Sequence, residues 1–327
     1  MNQSLSSQIP VIDVAPLVRG EDCLKTAIAL RQASQDPGFI YIRHHGIPNA
    51  VIEQARISAM EFFRLPEAVK STVTVSQHHR GWLSAGRAQM ADDTPADLKE
   101  SFIWGNPHDA ALSDHSLRGP NQWPAQHVQQ LHQHASDWFA HAQQLAYCLL
   151  RGFAIALELD RNFFLRQSDK PLSRASFVYY PQRPSPPETQ IERSQFGVGP
   201  HTDFGVLTIL CQDQIGGLQI ENTDGQWIEA PPINDTLIVN VGDLLSRWTN
   251  GAFRSAPHRV ISPSGRDRLS LVLAFDPNPE TLVDARATYP DTTDCADPIT
   301  CGDYLDWRFA RAFDYRASPP GEVRSSS

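Results

Sequence analysis

Few cysteines, no long apolar run and no excess of basic charge narrow the possibilities before any motif is read. The 327 residues include five cysteines, Cys23, Cys148, Cys211, Cys295 and Cys301, an odd number with no CxxC pair. That argues against a disulfide framework and suits reduced thiols in a cytoplasmic protein. The longest apolar stretches, such as residues 153–159, are far too short to span a bilayer. The opening MNQSLSSQIP lacks the apolar segment of a secretory signal. Basic side chains number 28 against 37 acidic ones, a formal charge of −9. Without a basic run to neutralise phosphates, nucleic acid is not an expected partner. No internal repeat and no long low-complexity tract interrupts the chain, and only the closing SPPGEVRSSS reads as a frayed tail.

What is present is an ordinary globular composition, 41% hydrophobic and 20% charged, in a chain long enough to bury a core unaided. Residues 1–120 mix short strands with helices, among them a strand over 9–13, a helix over 21–34 stopped by Asp36-Pro37-Gly38, a strand over 39–42 and a helix over 49–64. Residues 121–165 hold a long supporting helix. Pro124 suits its first position, and Val128, Leu131, Ala135, Trp138, Ala142, Leu145, Leu149, Phe153 and Ala156 keep the three/four spacing of one buried face. Gly152 within it marks a weak point or a close contact. His127, His132, His134 and His141 on the same helix are expected to be packed or solvated. Residues 170–280 change character. Short runs over 175–180, 206–211, 217–220, 227–230, 236–241, 258–261 and 269–275 alternate with turn signals such as Thr223-Asp224-Gly225 and Thr249-Asn250-Gly251. That pattern predicts a β-sandwich or barrel, with the helical N-terminal region packed outside. Residues 281–327 remain as a C-terminal segment and tail.

His201-Thr202-Asp203 is the central motif. Residues i and i+2 of a strand share a face, so His201 and Asp203 can chelate one ion together. His258, 55 residues after Asp203, leaves room for several strands to return the chain to the same mouth. Two histidines and a carboxylate on one face of an octahedron leave three positions open, the arrangement of non-haem Fe(II) oxygenases. An HxD pair alone is weak in a chain with twelve histidines. Arg268 and Ser270, again i and i+2, strengthen it. An Arg facing a barrel interior needs a carboxylate, and a guanidinium beside a hydroxyl suits the distal carboxylate of 2-oxoglutarate. A salt bridge from Arg268 to an internal Asp or Glu is the plainer alternative.

The stretch from Gly199 to Phe275 resembles the core of the isopenicillin N synthase-like superfamily, within the 2-oxoglutarate/Fe(II)-dependent dioxygenases. The matching words run in the family's order: Gly199-Pro-His-Thr-Asp203, Gly216-Gly-Leu-Gln219, Asn240-Val-Gly-Asp243, Trp248-Thr-Asn-Gly251, His258-Arg-Val260 and Arg268-Leu-Ser270. Ile9-Pro-Val-Ile-Asp13, Gly38-Phe-Ile-Tyr41, His45-Gly46-Ile47 and Phe63-Arg-Leu-Pro66 resemble its N-terminal region, so the likeness covers roughly residues 8 to 280. The resemblance implies a mixed α and β fold built on a double-stranded β-helix, or jelly roll. It implies His201, Asp203 and His258 as iron ligands, and Arg268 and Ser270 as the 2-oxoglutarate clamp. Tyr180, in Val178-Tyr179-Tyr180-Pro181, would touch the cosubstrate too; Val178 departs from the Asn that many plant-type relatives carry there.

These residues imply an oxidoreductase using Fe(II), 2-oxoglutarate and O2, releasing succinate and carbon dioxide while a small organic molecule is hydroxylated, desaturated or cyclised. No catalytic side chain beyond the metal ligands is singled out. Phe102, Phe196 and Phe275 are expected at the substrate pocket by family position and apolar character. Asp92 to Glu100 and the segment after Pro277 are candidate lids, and the family's habit implies a monomer. Three rivals remain open: an isopenicillin N synthase-like Fe(II) oxidase that does not use 2-oxoglutarate, a non-catalytic jelly-roll ligand-binding protein, and a zinc or manganese isomerase.

Overall fold

The computed structural model describes residues 9–88, 97–112, 114–125, 130–182, 196–261 and 265–316. Its strands are β1 (Val11–Asp13), β2 (Phe39–Arg43), β3 (Gly81–Leu83), β4 (Glu100–Gly105), β5 (Arg174–Tyr180), β6 (Phe196–His201), β7 (Leu207–Gln212), β8 (Leu218–Glu221), β9 (Trp227–Glu229), β10 (Thr236–Val241), β11 (His258–Ile261), β12 (Arg268–Phe275), β13 (Leu282–Val283) and β14 (Ile299–Thr300). The helices are α1 (Ala15–Arg19), α2 (Leu24–Gln35), α3 (Asn49–Phe63), α4 (Glu67–Lys70), α5 (Leu131–Ala156), α6 (Asp243–Trp248) and α7 (Cys301–Ala312).

Two sheets form a double-stranded β-helix. The larger runs β1-β2-β10-β7-β12-β5-β4-β3 and the smaller β6-β11-β8-β9, while β13 and β14 make a separate ribbon. Only β1 and β2 pair in parallel; the other named pairings are antiparallel. Side-chain alternation divides each central strand of the large sheet between two environments. On β12, Arg268, Ser270, Val272 and Ala274 line a cavity between the sheets, whereas Leu269, Leu271, Leu273 and Phe275 join the core beneath the helices.

Helix α5 is the main prop of that core. Its buried face carries Leu131, Ala135, Trp138, Ala142, Leu145, Leu149, Phe153 and Ala156, as the spacing predicts. It packs on α1, α2 and α3 and on β7 and β12, and the Trp138 indole donates to the carbonyl of Val272 at 3.4 Å. Gly152 serves close approach, since a Cβ there would lie 2.8 Å from Leu17 Cδ1 and 2.9 Å from Leu30 Cδ1. The expected start at Pro124 is corrected: the helix begins at Leu131. The Asn121 amide pairs with both backbone groups of Gly105, at 2.9 and 3.0 Å, which holds the preceding segment against β4. Within α5, His134 contacts the Ser58 hydroxyl at 2.7 Å, His141 meets the carbonyl of Asp137, and His132 stacks on Trp123 at 4.5 Å. His127, the closing tail and residues 92–96 of the proposed lid lie outside the described residues. All five cysteines are free thiols, and no helix among the described residues is long and apolar enough to cross a membrane.

Candidate active site

Strand pairing brings the two histidines together. In the antiparallel β6–β11 ladder His258 is the direct partner of His201, and their ring centroids lie 4.2 Å apart. Asp203 stands just beyond the end of β6, and its Oδ1 is 3.9 Å from His201 Nε2 and 3.8 Å from His258 Nε2. One ligand atom from each residue lies within 4.8 Å of the others. Both rings are oriented from behind. His201 Nδ1 is 2.8 Å from the carbonyl of Gly199 and His258 Nδ1 is 3.2 Å from that of Ala256. Those carbonyls require Nδ1–H, so each Nε2 keeps its lone pair for a shared ion. The Asn240 amide donates to Asp203 Oδ2 at 2.7 Å, leaving Oδ1 to face the histidines.

The electrostatics match that use. Burial, followed by the neighbouring His258, pushes His201 down to about 3, so the ring is neutral near pH 7. Burial alone would raise Asp203, but His258, His201 and the Asn240 amide outweigh it and hold the carboxyl below its ordinary value. A neutral-imidazole and carboxylate donor set suits a divalent ion of intermediate softness such as Fe(II).

The opposite wall belongs to the large sheet. Arg268 is 1% exposed, and its Nε donates to the carbonyl of Gly216 at 2.7 Å. Its Nη1 and Nη2, and the hydroxyl of Ser270 on the same face, are buried with no partner among the described residues. Tyr180 is paired with Arg268 across β5 and β12, its ring 4.7 Å from the guanidinium. Two orphan guanidinium N–H groups beside an orphan hydroxyl fit one carboxylate held through parallel hydrogen bonds. No internal Asp or Glu meets Arg268 among the described residues, unlike the plainer alternative read from the sequence.

His201, Asp203, His258, Arg268, Ser270 and Tyr180 share one cavity of about 220 Å³, a small-molecule volume. It is also lined by residues that sequence reasoning did not single out: His79, Lys99, Arg174, Phe204, Phe309 and Phe313. Both cations there are paired. Lys99 Nζ lies 3.0 Å from Asp97 and Arg174 donates to Asp276 at 2.7 Å. Burial opposes the Lys99 charge, but Asp97 and Tyr180 outweigh it and strengthen the ammonium. Burial raises Asp276, against the pull of Arg174. Asp97 also accepts from the backbone of Gly199 at 3.2 Å, so this pair braces β6 just before the first metal ligand.

Phe102, Phe196 and Phe275 lie elsewhere, which corrects the expectation that they line the pocket. Phe102 sits between Ser101 and Ile103, which face the cavity, and so points the other way, against Phe62 and Trp123. Phe275 has the same parity problem on β12 and meets Tyr147 at 5.5 Å. Phe196 packs under Arg259 at 5.2 Å.

Comparison with known proteins agrees with this geometry. Residues 173–277 match the 2OG-Fe(II) oxygenase superfamily, and residues 9–126 match the family described as the N-terminal region of a non-haem dioxygenase in morphine synthesis. The chain belongs to the 2OG-Fe(II) oxygenase superfamily, in its isopenicillin N synthase-like branch, and is an Fe(II)- and 2-oxoglutarate-dependent oxidoreductase. Among its relatives is the 2-oxoglutarate-Fe(II) type oxidoreductase hxnY of Emericella nidulans, 30% identical over 83% of this chain and 80% of that one. The homoarginine-6-hydroxylase 2-ODD-C23 of Glycine max is 30% identical over 86% and 89%. A full-length Neurospora crassa protein, solved in complex with alpha-KG, superposes with a TM-score of 0.83 at 30% identity, covering 95% of this chain and 98% of that one.

Proposed function

We propose that His201, Asp203 and His258 hold the iron of this oxygenase, and that Arg268, Ser270 and Tyr180 hold the distal carboxylate of 2-oxoglutarate. The observation that carries the second assignment is the buried, unpartnered trio Arg268 Nη1, Arg268 Nη2 and Ser270 Oγ on the face opposite the histidines. Bound iron, with 2-oxoglutarate and dioxygen, supplies the oxidising power, and the cosubstrate leaves as succinate and carbon dioxide. The protein orients the ligands: the carbonyls of Gly199 and Ala256 fix the histidine rings and Asn240 fixes the carboxylate.

A small organic molecule is then hydroxylated, desaturated or cyclised in the same cavity. The enzyme works as a monomer in the reducing cytoplasm, a reading supported by its five free thiols. Substrate identity does not carry over from relatives. The soybean relative is a homoarginine hydroxylase, whereas the Neurospora crassa protein has been solved with thymine, an unlike molecule.

The test is anaerobic titration with Fe(II) and 2-oxoglutarate. A visible charge-transfer band is expected, absent in His258→Ala. Arg268→Ala should bind iron normally and 2-oxoglutarate at least about tenfold more weakly, as loss of a charge-assisted bond requires. Unchanged cosubstrate affinity in Arg268→Ala would show the clamp to be misassigned.

A further inference from the structure

The cavity wall around His79, Lys99 and Arg174 has a chemistry of its own. Its charges cancel: Lys99 is matched by Asp97 and Arg174 by Asp276, at 3.0 and 2.7 Å, with three of the four side chains at most 6% exposed. A charged substrate would bring an unmatched ion into this wall, at a desolvation cost nothing there offsets. Three aromatic rings, Phe204, Phe309 and Phe313, join the apolar part of the lining. Phe309 of α7 and Phe313 just after it both contact the His79 ring at 4.7 Å, and Phe309 also meets Phe204 at 5.7 Å.

His79 is the unexplained polar group among these rings. It is 7% exposed and lines the cavity. Its backbone adopts φ 59°, a left-handed conformation uncommon for a non-glycine residue. The surroundings enforce that conformation. Arg80, buried and paired with Asp109, donates to the carbonyls of His78 and His79 at 3.1 and 3.2 Å, while His79 N donates to Ser76 O at 2.9 Å. Arg118 holds the other oxygen of Asp109 at 2.7 Å. On the ring itself Nδ1 meets the Tyr315 hydroxyl, and Nε2 has no partner among the described residues. A phenol is the better donor and a neutral imidazole nitrogen the better acceptor, so Tyr315 donates to Nδ1 and the ring proton sits on Nε2. Burial, then Arg174, Arg80, Arg316 and Lys99, hold the ring well below its ordinary value and therefore neutral.

We propose that His79 is a substrate-binding residue whose Nε2–H donates to a carbonyl-type acceptor, and that the substrate is an uncharged, flat molecule covered by Phe309 and Phe313. The proposal rests on the iron and cosubstrate assignment above, and its test separates the two. Anaerobic enzyme is loaded with Fe(II) and 2-oxoglutarate, and the visible band is followed while uncharged ring carbonyls (thymine, 2-pyridone, coumarin) and charged rings (benzoate, benzylamine) are added. Direct binding is read in parallel by ligand-observed NMR. If the band never forms, the cofactor assignment fails. If it forms, at least one uncharged carbonyl is expected to perturb it and to bind, and the charged rings are not. His79→Phe should weaken that binding at least about tenfold, with 2-oxoglutarate affinity unchanged, because one buried acceptor loses its donor. His79→Asn tolerates the left-handed backbone and keeps an N–H donor, so it should retain binding that His79→Phe loses, which separates recognition from misfolding. Preferential binding of a charged ring, failure of every uncharged carbonyl, or affinity in His79→Phe within about twofold of wild type would overturn the proposal.

Discussion

Asn240 shows how much a single side chain adds to the site. Its amide holds the Asp203 oxygen that faces away from the histidines, at 2.7 Å. Without it the carboxylate is free to rotate, and Oδ1 loses its fixed direction. Asn240→Ala should therefore lower Fe(II) affinity about 10- to 100-fold, the usual effect of removing a group that orients a ligand. Anaerobic iron titration of the variant measures it. The sequence motif containing Asn240 is legible, but the reason for the Asn is not, because its partner lies 37 positions away, just past the end of β6. The opposite lesson comes from Phe102 and Phe275. Strand parity, which correctly placed Arg268 and Ser270 on one face, assigns Phe275 to the other face of the same strand. Apolar character alone misled, because both faces of β12 are buried.

At the scale of elements, most strands of the jelly roll are legible to within about a residue, but β6 (Phe196–His201) is not among the runs the pattern picks out, because Gly197, Gly199 and Pro200 interrupt its β-rich character. Turn signals bracket short β-rich runs, and β10 and β11 fall where the pattern puts them. Helix α7 is the main omission. Cys301, Leu305, Phe309 and Ala312 are buried at helical spacing, but the four charged residues Asp303, Asp306, Arg308 and Arg311 dilute that signal. It brings Phe309 to the cavity wall and is strapped down by Arg316, which donates to the carbonyl of Gln77, to Ser116 Oγ at 2.7 Å and to Asp306 at 2.7 Å. Arg316→Ala should release that strap. Stability is expected to drop by about 1–3 kcal/mol, the range for losing hydrogen bonds from a buried charged group. Amide exchange should quicken in residues 76–80 and 301–316 while β6 and β11 stay protected.

The whole molecule carries a built-in sensitivity to acid. His45, His79 and His115 are each held below the ordinary value of 6.5 chiefly by burial. Their neutral state is shared by folded and unfolded chains well above that value. As pH falls below 6.5 the unfolded chain takes up protons that the folded protein refuses, so stability declines toward the folded values. Each such proton steepens the decline by up to about 1.4 kcal/mol per pH unit. The lowered carboxyls Asp13, Asp169 and Asp284 act in the same direction only further down, below their ordinary 3.8. A urea midpoint lower at about pH 5.5 than at about pH 7.5 is the expected result.

The placement of the ligands has a mechanical consequence for the molecule as a whole. The His201, Asp203 and His258 side chains belong to the small sheet and its edge, and the proposed carboxylate clamp of Arg268, Ser270 and Tyr180 belongs to the large one. A cosubstrate that touches both is a tie-bar across the sandwich. Iron alone fastens only one leaf, and 2-oxoglutarate without iron has a single anchor. Thermal melts should show this as synergy. Together the two ligands should raise the melting point by more than the sum of their separate effects, with about 2.7 kcal/mol gained at a hundredfold excess over the dissociation constant. In Arg268→Ala the synergy should vanish while the shift from iron alone survives. The active site would then act as the rivet of its own scaffold.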